Sequence, residues 1–145
     1  MPLDLIITAA IAGIIATYVL LTLALWAPAL KLPKLDFARA MANLTYSDSV
    51  EGKVPYRAGL AVIYMNGIFF ALLYAGAVAQ FLPGAPVVKG AVWGVVLFVI
   101  SGLFFVPLFL KEGFFLSHID KNAWATSLMV HGAWGIVVGW MVPVP

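Results

Sequence analysis

Residues 127–140, SLMVHGAWGIVVGW, set one histidine, His131, inside a run with no charged side chain. An imidazole there has three chemistries open to it. It can stay neutral and hydrogen-bond a neighbour, with Asn66, Tyr64, Ser101 or a backbone carbonyl as partners, because buried polar groups are paired. It can ligate haem iron or chlorophyll magnesium as a cofactor-binding residue, since one axial histidine suffices for some haem proteins and adjacent small residues leave room for a flat macrocycle. It can relay protons, which needs a carboxylate nearby.

The remaining polar inventory is thin. Asp4, Asp36, Asp48, Glu51, Glu112 and Asp120 all fall at segment ends or in loops, so no catalytic or metal-binding carboxylate pair forms at depth. The second histidine, His118, lies with Asp120 in a loop, too few ligands for a metal site, and its place there rules out a bis-histidine haem within the single chain. Zero cysteines exclude disulfides, thiolate metal sites and thiol nucleophiles. A net charge of +2 gives no reason to expect nucleic acid.

The elements that must position His131 follow from composition. The 145 residues are 64% hydrophobic and 10% charged, against about 25% charged in soluble domains. Four stretches supply the roughly 20 apolar residues that cross a bilayer as a helix. They predict an all-α membrane protein of one domain, 1–145: an antiparallel up-down bundle of four transmembrane helices with spans about 5–28, 58–82, 88–110 and 122–142. The first span is too long for a signal-peptide core and has no basic residue before it, so it is expected to be retained. The inner loop, 31–57, contains Asp36 as a cap for a short interfacial helix whose Phe37, Met41 and Leu44 share a face.

Seven of the eight basic residues fall in the first and third loops and only Lys89 in the second. The positive-inside rule then puts loops 31–57 and 111–121 in the cytoplasm and both termini outside, in a multi-pass cytoplasmic membrane protein. Trp26, Trp124, Trp93 and Trp140 mark span ends as an aromatic belt, leaving Trp134 deep. Pro107 should bend the third span near Leu103.

Small residues recur four apart. Ser127, His131, Gly135 and Gly139, flanked by Gly132, form one stripe; Gly67 and Ala71, beside Asn66, form another; Gly13 and Gly94 sit in the first and third spans. Helices in lipid associate through such close approaches, so these are the expected packing seams. The halves also echo each other: APALK at 27–31 with VPLFLK at 106–111, and Asn66-Gly67 with His131-Gly132.

The order LPKLDFARAM, ALLYAG, FLPGAPVVKG, PLFL with GFF, and HGAWGIVVG resembles small uncharacterised four-helix membrane families, loosely YagU-like, over most of the chain. The resemblance implies this architecture and no established reaction; Asn66 stands where a second histidine would be expected. The function expected is a non-catalytic accessory or scaffold subunit of a larger respiratory or photosynthetic membrane complex, in contact with lipids and other integral subunits. The alternatives are a haem- or chlorophyll-binding subunit using His131, and a small-solute transporter or channel.

Overall fold

The computed structural model describes residues 1–46 and 55–144, and these are all-helical, with no strand. Five α-helices follow in order: α1 (Leu3–Trp26), α2 (Phe37–Tyr46), α3 (Tyr56–Leu73), α4 (Pro86–Ile100) and α5 (Ala123–Met141). Continued by irregular helical turns, three segments are long and apolar enough to cross a membrane. They are Leu3–Leu30, Tyr56–Phe81 and Pro86–Leu110, with mean hydropathies of 2.3, 1.8 and 2.4. The last helix, α5, has 19 residues, but Thr126, Ser127, His131 and its glycines dilute its apolar character, and it is not among the three. The outward faces of α1 and α4 are aliphatic, with Ile7, Ile11, Ile14, Val95 and Val99 exposed. In water such a surface would aggregate; it suits hydrocarbon. The protein is therefore a membrane protein.

The helices pack α3 on α1, α1 on α5 and α5 on α4, with α2 against α3. Contact is through backbone. A methyl added at Gly13 would lie 2.7 Å from the Gly67 carbonyl oxygen, and one at Gly90 would lie 2.6 Å from Gly139 Cα. Thr17 ties three helices together: its hydroxyl lies directly over Gly67 of α3 and accepts a hydrogen bond from Trp134 Nε1 of α5 at 3.3 Å. Trp93 Nε1 donates to the Phe70 carbonyl at 3.2 Å and the Tyr74 hydroxyl to the Pro86 carbonyl at 3.0 Å, linking α3 and α4. Each such interhelical bond in a membrane contributes about 0.6–2 kcal/mol.

Trp93 departs from the expected belt. It is only 6% exposed and sits in the core with Trp134, whereas Trp26, Trp124 and Trp140 are exposed. Its N–H needs the Phe70 carbonyl, and that demand outweighs the pull of the interface.

The connection between α1 and α3 contains the expected short helix, α2. Asp36 Oδ1 accepts the Arg39 backbone N–H at 3.0 Å, capping α2, and also accepts the Tyr56 hydroxyl at 3.1 Å, joining α2 to α3. Ala38, Met41 and Ala42 form its buried face, while Leu44 is 41% exposed. Gly59 of α3 receives α2 so closely that a methyl there would overlap the Ala38 carbonyl oxygen. Small residues set this face, and Leu44 is left off it. The rest of the predicted loop, 47–54, lies outside the described residues.

Around Pro107 the helix departs from α geometry in a specific way. From Ser101 to Leu110 the chain widens into π-helical turns. Proline has no N–H and its ring collides with the carbonyl four residues back, Leu103, so the α pattern fails there, and π turns are one recognised way for a helix to accommodate such a break. The segments continuing α1 and α4 then both stop at a lysine in the left-handed conformation, Lys31 (φ 60°) and Lys111 (φ 57°). The sequence echo of APALK and VPLFLK thus has a backbone counterpart.

Candidate functional site: an uncharged cavity between the helices

The helices that touch so closely at their glycines separate elsewhere and leave a cavity of about 320 Å³ between α1, α2, α3, α4 and α5. The widened turns after Ile100 form one wall through Ser101, Phe105 and Val106, while Phe37 and Met41 border it from α2. The rings of Phe37, Phe70, Phe105 and Trp134 face it, and no charged residue lines it. Five polar side chains do: Thr17, Asn66, Ser101, Ser127 and His131. Asn66 and His131, counterparts in the sequence echo, thus meet at one cavity.

His131 Nδ1 lies 2.8 Å from the Ser127 carbonyl of its own helix. A carbonyl oxygen only accepts, so Nδ1 carries the proton, and in the neutral ring Nε2 is left as an acceptor. The Ser127 hydroxyl sits 3.4 Å from the same Nδ1. Edge contacts with Phe37 and Phe98, each with centroids 6.3 Å apart, steady the ring. Of the partners open to His131, the backbone carbonyl is the one used. The imidazole therefore spends its only N–H within α5 and does not bond α5 to a neighbouring helix. Among the described residues, its Nε2, the Asn66 carboxamide and the Ser101 hydroxyl make no hydrogen bond.

The other site residues sort cleanly. Gly13, Gly67, Gly94, Gly135 and Gly139 lie at helix crossings, where an added methyl would strike the partner's backbone or, at Gly67, Thr17. Ala71 is fully buried and Ser127 is 5% exposed. Gly132 is different: a methyl there would meet nothing within 4 Å. It stands beside open space, one residue from His131. Asn66 lines the cavity and makes no hydrogen bond among the described residues. Sequence reasoning missed Gly59 and the aromatic walls; Phe37 and Phe105 come from elements far apart in sequence, and no local pattern joins them. His118 stays in its loop, with Nδ1 3.3 Å from the Lys111 carbonyl, and no group of three or more His, Cys, Asp or Glu among the described residues could hold a metal ion.

Fold and cavity together define the class, a membrane protein all-helical in its described residues, with an uncharged pocket between the helices. A family model described as a family of unknown function, DUF6789, matches residues 3–144, and the chain belongs to that family. The match gives no link to the YagU-like families. No curated protein and no solved structure matches the chain.

Proposed function

We propose that this chain is a four-span membrane protein that binds a small lipid-soluble molecule between its helices, without transforming it. The cavity carries the reading: three polar groups on three helices face an uncharged space of about 320 Å³ with no protein partner. These polar atoms keep surface open to that space, so a ligand there can hydrogen-bond them without displacing a protein partner. The volume lies at the lower edge of the roughly 300–1,000 Å³ usual for small-molecule sites. It suits one or two rings and is tight for a tetrapyrrole, which weighs against haem or chlorophyll even though the carbonyl-bound Nδ1 is an arrangement that metal-ligating histidines share.

Four crossings in an antiparallel bundle are supported by the order of contacts. Gly90 meets Gly139 where Gly94 meets His131, and Gly13 meets Gly67 where Gly76 meets Met1. The fourth span, α5, is taken as membrane-crossing because it packs along both α4 and α1. The lysine and arginine distribution puts Lys31, Lys34 and Lys111 on the cytoplasmic side of the inner membrane, with the termini outside. Since the chain has no cysteine, Asn43→Cys and Ala85→Cys should react with an impermeant maleimide from opposite faces of the membrane.

The accessory-subunit reading remains the alternative. The small-residue seams do not by themselves favour it, because their glycines meet backbone of this same chain, Gly132 excepted. Saturable binding of a lipid-soluble aromatic probe to the purified, reconstituted protein, lost on filling the cavity with Ser101→Phe, is the expected result. Partition no greater than into protein-free bilayers would refute the ligand reading, and stoichiometric co-purification of another membrane protein would favour the subunit reading.

A further inference from the structure

The polar atoms in the cavity also select among lipid-soluble molecules. We infer that the ligand is a neutral aromatic ring bearing a hydroxyl, a phenol or hydroquinone, whose O–H donates to His131 Nε2. This rests on the cavity being a ligand site and adds the ligand's chemical class.

Three observations converge. Because Nδ1–H is spent on the Ser127 carbonyl at 2.8 Å, the face of the imidazole away from its own backbone offers a lone pair and needs a donor. No charged residue lines the space, so an ammonium or a carboxylate would be stranded there without a counter-ion. The walls include Phe37, Phe70, Phe105 and Trp134, which favour a flat ring in edge and offset contacts. Asn66 and Ser101 offer both donors and acceptors, and so tolerate either a hydroxyl or a carbonyl at the ring's other positions. His131 alone discriminates. A quinone, with carbonyl oxygens only, would set one lone pair against another at Nε2 and leave both unpaired. The site therefore prefers the reduced, hydroxylated ring to its oxidised form.

The test compares dimethylhydroquinone, dimethylbenzoquinone and para-dimethoxybenzene binding to the protein in nanodiscs, corrected for partition into empty nanodiscs. The hydroquinone should bind about tenfold more tightly than either ring without a hydroxyl donor, the scale of one unpaired buried group. His131→Leu should bring the three affinities together, while Asn66→Leu should weaken all three and preserve their order. The comparison in the unsubstituted protein stands even if His131→Leu does not fold. Equal affinity for the three, or a hydroquinone preference that survives His131→Leu, overturns the inference and leaves the cavity reading standing. No saturable binding of any of them overturns the cavity reading itself.

Discussion

The pair α4 and α5 is two structures in one. Between Pro86 and Gly94 it is sealed: Gly90, Gly94, Gly135 and Gly139 bring backbone onto backbone, and a methyl at Gly135 would stand 2.9 Å from the Gly94 nitrogen. One turn further along, at Leu97, Ser101 and Ser127, the same helices border a cavity. Hydropathy does not distinguish the halves, both being apolar. The difference is backbone chemistry: glycine permits the close approach, and Pro107 makes the following turns wider than α. A chain in lipid, without the hydrophobic effect to draw helices together, can thus fix where it is tight and where it is hollow with a few small residues and one imino acid.

The largest expected effect comes from breaking the tight half. Gly135→Val puts branched carbon against the Gly90 carbonyl, and backbone cannot swing aside as a side chain does. The helices must part, so the loss should reach or exceed the top of the roughly 1–3 kcal/mol range for overpacking. Denaturant titration in mixed micelles measures it. A loss of only a few tenths would mean that the seam is not where α4 and α5 are held.

The hollow half is probed by Pro107→Ala. Restoring an N–H at 107 allows a bond to the Leu103 carbonyl, so the Ser101–Leu110 turns should tighten toward α geometry and rotate Ser101 and Phe105 relative to α5. Probe affinity is expected to fall about tenfold or more, while resistance to denaturant holds or rises, since an interior proline costs about 3 kcal/mol in a regular helix. Unchanged binding would detach the cavity from the proline.

These two halves were unequally legible in the sequence. Glycines and alanines four apart announce a seam because the cause, absence of a side chain, is local; Gly13, Gly67, Gly94, Gly135 and Gly139 each stand close against a neighbouring helix. The three long apolar segments were legible for the same reason, their length and composition being local properties. A cavity is where residues fail to meet, which depends on how far Ser101–Leu110 departs from α geometry and on what α2 places beneath it. Trp93 shows the limit from another side. Its position near a span end signals an interface, yet its one N–H is claimed by Phe70 of another helix.

The smallest expected effect sharpens the comparison most. Gly132 lies in α5 between the cavity-facing His131 and the seam glycine Gly135, and space beside it is open. If lipid fills that space, Gly132→Ala removes the flexibility cost of an interior glycine and stabilises by up to about 0.5–1 kcal/mol. If another helix, from a second copy or a different subunit, closes on the notch, the same methyl costs stability and shifts the assembly toward single chains. Denaturant titration with size-exclusion chromatography of the Gly132→Ala protein reads both. Gly132 and Gly135, three residues apart, stand only about 60° apart round α5, so stabilisation at one and collapse at the other is the pattern expected of a narrow seam whose edge is open to lipid.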